Sequence, residues 1–257
     1  MNIGFFDSGL GGLVVMNAVR NLLPQYDYIF YGDTANVPYG NKTEGEIFDL
    51  TRDGVELLFE EGCVLVIIAC NTASAATLRR LQDEWLTETY PGRKLLGVIV
   101  PMAEEVIDCN AMRTVLIATT RTINSQKYER VLETFSRAPQ VFAIPTPELV
   151  PLIEEDRLDE AFYIVDDILK EALAAGADSL ILGCTHYALL MPLLNEYYGS
   201  RLMIFSPDSV IPKKVFTYLN RHPEIEERLT REGTVSLQLS AERPEYQKFI
   251  RQLATKE

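Results

Sequence analysis

The sequence predicts an α/β protein of two pseudosymmetric lobes, each a mostly parallel sheet flanked by helices, with an active site in the cleft between them. Three observations carry this prediction. Val64-Leu65-Val66-Ile67-Ile68-Ala69-Cys70 is an unbroken, β-branched apolar run that reads as a buried parallel strand ending in a thiol, and Asn71 and Thr72 then open a helix. Ser179-Leu180-Ile181-Leu182-Gly183-Cys184 repeats the construction, with Thr185 and His186 leading into a helix near Tyr187. Strand-like and helix-like patterns alternate through the rest of the chain, the signature of helices covering both faces of a parallel sheet.

Taken in order, residues 2–6 form a short apolar strand that delivers Asp7-Ser8-Gly9-Leu10-Gly11-Gly12. Leu13, Val14, Met16, Val19 and Leu22 then recur at helical spacing until Pro24. A dinucleotide fingerprint would need Gly where Val14 stands, and no phosphate-loop Lys follows. The glycines instead let backbone approach a small ligand, with Asp7 and Ser8 as polar contacts at the strand tip. Residues 28–31 are a second strand, and the polar turn over 32–43, with Tyr39 and Gly40, is of a length that compact domains keep for function or motion. A helix starts at Thr43 or Glu44 and ends before Gly62, weakened by Gly45 and Gly54. After the Cys70 strand, Leu78, Leu81 and Trp85 mark one face of a helix.

Residues 95–100 read as a strand closed by Pro101, and residues 102–109 as a short helix. The strand over 114–118 runs into Thr119-Thr120-Arg121-Thr122-Ile123-Asn124-Ser125, ahead of a helix beginning near Ser125. Capping accounts for one of these hydroxyls, and the others suit a carboxylate. Residues 141–144 are a strand followed by Pro145 and Pro147. Residues 158–175 are an amphipathic helix with Ala161, Val165, Ile168, Leu169 and Ala172 inward, ended by Gly176. Beyond the Cys184 strand come a helix through Met191 and Leu194, a strand over 203–205, a helix over 211–219 interrupted at Arg221-His222-Pro223, a strand over 234–239 and a final helix over 244–253.

Composition narrows the chemistry. The 257 residues, 47% of them hydrophobic, suffice for one large domain or two small ones, and a formal charge of −13 argues against a nucleic-acid footprint. Cys63, Cys70, Cys109 and Cys184 show no close pairing, and a strand begins at Ile3. Both point to a reducing, cytoplasmic setting without a signal peptide. No apolar run reaches the roughly 18 residues of a membrane span. With His186 and His222 the only histidines, neither zinc nor any other metal is expected.

Strand carboxyl ends and helix N-termini converge where open α/β sheets bind ligands, and a helix N-terminus lowers a thiol pKa. Two thiols across one cleft admit a disulfide couple, a nucleophile with a spectator, or an acid and a base on opposite faces of one carbon. The mirrored settings favour the last, which inverts a carbon centre, with Asp7 and His186 to tune the thiols. A Cys-His amide hydrolase and a silent small-molecule binder are the readings from other classes.

Phe6-Asp7-Ser8-Gly9-Leu10-Gly11-Gly12, Gly32-Asp33-Thr34-Ala35, Val37-Pro38-Tyr39-Gly40, Ala69-Cys70-Asn71-Thr72-Ala73-Ser74-Ala75 and Leu182-Gly183-Cys184-Thr185-His186-Tyr187 closely resemble the glutamate racemase family, and Leu149-Val150-Pro151-Leu152-Ile153-Glu154 adds a further family-like segment. The resemblance spans nearly the whole chain. It implies a cofactor-independent interconversion of L- and D-glutamate that supplies D-glutamate for peptidoglycan. It also implies a homodimer of two-lobed subunits, with residues 1–98 and 208–257 in the Cys70 lobe and 99–207 in the Cys184 lobe. By the same resemblance Cys70 takes the proton from the D-enantiomer and Cys184 from the L-enantiomer, assisted by Asp7 and His186. Ser8, Tyr39, Gly40, Asn71, Thr72, Thr119, Thr122 and Thr185 match glutamate-binding positions. The chain departs from the family pattern at Val100, where many members have Glu, at Ala118 in place of Gly, and at Ala188 in place of Pro. Aspartate racemase, of the same fold, is the nearest alternative.

Overall fold

A computed structural model describes residues 1–242 together with Tyr246 and Ile250. Its first sheet comprises β1 (Asn2–Asp7), β2 (Tyr28–Gly32), β3 (Cys63–Ile68), β4 (Lys94–Gly97) and β9 (Val235–Leu239), in the order β4-β3-β1-β2-β9. The second comprises β5 (Arg113–Ala118), β6 (Gln140–Pro145), β7 (Ser179–Gly183) and β8 (Met203–Phe205), in the order β6-β5-β7-β8. Every pairing within both sheets is parallel. The central strands are apolar on both faces because helices cover both. β3 and β7 are buried at every position.

In the first half the crossovers are α1 (Gly12–Leu22), α2 (Glu44–Glu60) and α3 (Asn71–Arg80), which runs through a π-helical stretch Leu81–Leu86 into α4 (Thr87–Thr89). α2 begins on a capping box: Thr43 accepts from the Glu46 backbone, and Glu46 reaches back to the Thr43 N–H at 2.8 Å. In the second half lie α5 (Ile99–Asp108), α6 (Thr120–Asn124), α7 (Lys127–Leu132), α8 (Leu149–Glu154), α9 (Leu158–Ala174) and α10 (Met191–Tyr198), followed by α11 (Pro207–Arg221) and α12 (Pro223–Glu226). One apolar core joins the sheets: Phe5, Leu65 and Ile67 of the first sheet with Leu116, Ile181 and Phe205 of the second, with α1, α5 and α11 between them.

Several boundaries differ from the sequence reading. The strand expected over 95–100 ends at Gly97, opposite Ile68, the last residue of β3, and the helix expected from 102 starts at Ile99. Pro101 therefore sits in the first helical turn, where a missing N–H leaves nothing unpaired, and does not close the strand. The helix expected near Ser125 is two short helices, α6 capped by Thr119 and α7 after Gln126, whose left-handed φ of 52° breaks the run. A non-glycine residue gives no sequence signal for such a break. The helix after Cys184 opens as a 3₁₀ stretch, Thr185–Leu190, and α11 begins at Pro207, ahead of Ile211. α8 has no counterpart in the reading, because Pro147 and Pro151 mask it, yet Pro151 falls in its first turn. The expected helix over 244–253 lies outside the described residues, apart from Tyr246 and Ile250, which pack against the shared core.

Candidate active site

Each sheet reverses its winding at one point. β1 leads to β2 on one side and the chain then crosses to β3 on the other, so the first crevice opens beyond the carboxyl ends of β1 and β3. Asp7 ends β1, and Cys70 caps α3 just past β3. β5, β6 and β7 repeat the order, with Thr119 following β5 and Cys184 following β7. The two thiols thus occupy equivalent places in two equivalent strand arrangements, and each is only 7% exposed.

Cys70 Sγ accepts from the Ala73 N–H at 3.4 Å and lies 3.1 Å from Ser8 Oγ. These contacts favour a thiolate, as expected of a helix N-terminus. Burial outweighs them, and with the Asp7 charge it pushes the thiol up to about 12. Helix-terminal activation expected from the sequence is therefore present at Cys70 but does not prevail.

Cys184 Sγ lies 3.9 Å from His186 Nδ1, while His186 Nε2 faces Glu154 Oε1 at 2.9 Å. Burial alone would lower the imidazole pKa, but hydrogen bonding to Cys184 and Glu154 raises it well above the usual histidine range. Both ring nitrogens have an acceptor, so the doubly protonated imidazolium is satisfied on each side. Asp7 accepts from the Gly9 N–H at 2.8 Å and from Thr185 Oγ1 at 3.3 Å. Burial raises its pKa, and the His186 charge pulls the other way.

The glycine turn after β1 brings these groups together. A Cβ at Gly11 would collide with Thr185 Oγ1 and stand 2.6 Å from His186 Nδ1; one at Gly12 would stand 2.7 Å from Asp7 Cβ. The glycines thus let the first crevice close on the Cys184 turn. Three hydroxyls bridge the same junction: Thr72 Oγ1 lies 2.9 Å from Thr119 Oγ1 and 3.3 Å from Thr122 Oγ1, with Thr119 and Thr122 3.0 Å apart. Asn71 accepts from Tyr128 across it at 2.7 Å, and Arg121 donates to the Lys42 carbonyl.

Asp7, Ser8, Cys70, Asn71, Thr72, Thr119, Thr122, Cys184, Thr185 and His186 therefore converge, and Tyr39 is near enough for the Cys70 charge to act on its phenol. The Tyr39 hydroxyl is committed to Asp33 Oδ2 at 2.7 Å. Gly40 enters as its neighbour in a 3₁₀ turn, with open space where a side chain would be. Sequence reasoning did not single out Glu154, Asp33 or Tyr128; for Glu154 and Asp33 the one signal was their place in family-like segments. Val100 lies exposed on α5, and Ala118 fits because Gly183 faces it: a Cβ at 183 would stand 2.8 Å from the Ala118 methyl. Among the described residues no group of His, Cys, Asp and Glu could hold a metal ion, and no helix is long and apolar enough to cross a membrane.

Comparison with known proteins gives the same direction. The family model described as Asp/Glu/Hydantoin racemase matches residues 15–206. The chain is 38% identical over 239 residues to the glutamate racemase of Jannaschia sp. (strain CCS1), covering 88% of this chain and 87% of that one. Among solved structures it resembles a glutamate racemase isoform of Bacillus anthracis, with a TM-score of 0.83 and 28% identity over 99% of this chain and 94% of that one. It also resembles the Francisella tularensis glutamate racemase, solved in complex with D-glutamate, with a TM-score of 0.82 and 26% identity over 100% of this chain and 94% of that one. The chain belongs to the Asp/Glu/hydantoin racemase family.

Proposed function

We propose that this protein is a glutamate racemase that interconverts L- and D-glutamate by two-base proton transfer between Cys70 and Cys184, without a cofactor. The observation that carries the mechanism is the equivalent placement of two buried thiols at the switch points of two matching sheets. The identity to curated glutamate racemases supports glutamate as substrate. In the L-to-D direction the Cys184 thiolate, with the His186 imidazolium beside it, removes the α-proton. The carbanion is reprotonated on the opposite face by the Cys70 thiol, which leaves Cys70 as thiolate and Cys184 as thiol. In the D-to-L direction the roles reverse, with Cys70 as the base. The raised Cys70 pKa suits the donor role in the first direction.

Asp7 and His186 assist the two thiols, and Glu154 holds His186. Ser8, Tyr39, Gly40, Asn71, Thr72, Thr119, Thr122 and Thr185 bind the substrate, with the bridging threonine hydroxyls suited to a carboxylate. The lobes on either side of the cleft are residues 1–98 with 208–257, and 99–207. The biological role in this reading is the supply of D-glutamate for peptidoglycan, by a homodimeric cytoplasmic enzyme.

Deuterated water tests the mechanism. Glutamate of either hand should gain deuterium at the α-carbon mainly in the enantiomer produced, because the abstracting thiol returns little of its own proton across the cleft. Cys70→Ser and Cys184→Ser should each nearly abolish racemisation, since an alcohol is far too weak an acid to form the base. Each should retain a one-sided elimination from a glutamate analogue with a leaving group beside the α-carbon, with opposite enantiomer preference. Full racemisation by either variant, or one shared preference, would refute the two-base mechanism.

A further inference from the structure

Tyr128 of α7 is fully buried, and among the described residues its hydroxyl has one hydrogen-bond partner, Asn71 Oδ1 at 2.7 Å. Burial, with the nearby Cys184 charge, raises the phenol pKa, so the group keeps its proton. That proton needs an oxygen to point at, which turns the Asn71 carbonyl toward Tyr128 and its Nδ2 the other way. Asn71 is itself only 2% exposed, and Nδ2 is buried without an acceptor. Native proteins rarely leave such a donor unfilled unless a ligand completes it. Asn71 is the residue after Cys70, and the Cys184 charge acts on Tyr128, so the unfilled donor lies among the elements that carry both thiols.

We propose that Tyr128 is a positioning residue. By fixing the orientation of the Asn71 amide, it presents Nδ2 as an obligate donor to a carboxylate oxygen of the amino-acid substrate. The inference rests on the reading of Asn71 as a substrate contact. Without the phenol proton the amide can rotate and offer its carbonyl to the carboxylate, which is repulsive. Asn71 therefore acts as a donor because of Tyr128, a residue contributed by the opposite side of the cleft.

The test is a double-mutant cycle with glutamate as the varied substrate. Tyr128→Phe should raise KM about three- to tenfold, the effect of one ordinary hydrogen bond, with kcat changed less than about twofold. In an Asn71→Ala background the same change should have no further effect on KM. Asn71→Asp, which keeps an acceptor for Tyr128 but replaces the donor with an oxygen, should raise KM more than Tyr128→Phe does. An unchanged KM in Tyr128→Phe, additive effects in the double variant, or wild-type KM in Asn71→Asp would each overturn the proposal. Side-chain amide NMR on ¹⁵N-labelled protein, assigned by the signal lost in Asn71→Asp, gives a readout independent of turnover. The Asn71 NH₂ pair should shift on adding glutamate and broaden in Tyr128→Phe. A glutamate-inactive wild-type enzyme would defeat the functional reading alone, while a sharp, unchanged Asn71 pair in active Tyr128→Phe would defeat this inference alone.

Discussion

His186 stands between Cys184 and Glu154, and Glu154 is, with Cys184, one of the two groups that raise its pKa. Glu154→Gln keeps the hydrogen-bonding shape but removes the anion, so the His186 pKa should fall back toward its ordinary value of about 6.5. Where the folded value is raised, the pair's contribution to stability is fully present below about 6.5 and lost as pH rises through the folded value. The imidazolium should disappear earlier on the alkaline side. We predict that kcat/KM for L-glutamate falls about tenfold in Glu154→Gln at pH 8.5 and changes little at pH 6, read from pH–rate profiles. A uniform loss at every pH would show that Glu154 only packs. Cys70, Cys184, Asp7 and His186 were legible in the sequence because each lies at or within three residues of a strand end whose apolar pattern is local. Glu154 was not legible: it reaches His186 from α8, 32 residues away in the chain, and only the folded arrangement pairs them.

At the scale of elements, the glycine turn between β1 and α1 sets how closely the two sides approach. Gly11→Ala places a methyl against Thr185 and His186, which are both buried and hydrogen-bonded. Overpacking of this kind destabilises by about 1–3 kcal/mol, and a shift of His186 by a fraction of an ångström misaligns Cys184. We expect racemisation to fall by about tenfold or more in Gly11→Ala. Gly45→Ala, at an open position in the first turn of α2, should leave activity intact and raise stability by about 0.5 kcal/mol. Thermal melting with initial-rate assays separates the two, and equal behaviour would contradict the proximity argument. The elements with strong periodicity, such as β3, β7, α2 and α9, were readable to within a residue or two. The failures gather at helix starts and breaks: Pro101 looked like a terminator but occupies a first turn, α8 with Pro151 in its first turn went unread, α11 begins at Pro207 ahead of Ile211, and the left-handed Gln126 splits α6 from α7 without the glycine that would announce it.

For the whole molecule, the least local feature is the return of β9 to the first sheet, where it pairs with β2 after the chain has built the second. The alternating pattern over 234–239 says strand but not which neighbour, so only the resemblance had assigned residues after 207 to the Cys70 lobe. Asp27, at the entrance to β2, holds the segment before β9 in place: its carboxylate accepts from the Thr234 N–H at 2.7 Å, Thr234 Oγ1 at 2.6 Å and the Glu232 N–H at 3.3 Å. Burial works against the charge, yet the Thr230 side chain together with these donors holds the pKa down to about 2. A carboxyl whose pKa is depressed on folding stabilises fully above its unfolded value, near 3.9, and loses that stabilisation as pH falls through the folded value. Asp27→Asn turns one acceptor oxygen into an N–H facing other donors, so it should lower stability by about 1–3 kcal/mol at pH 7, measured from the urea midpoint. Because the wild-type carboxylate is itself neutralised toward pH 2, the gap between the two proteins should narrow between about pH 4 and pH 2. A gap that persists unchanged at pH 2 would mean that the substitution acts through packing, and that the charge of Asp27 is not what fastens β9 to the first sheet.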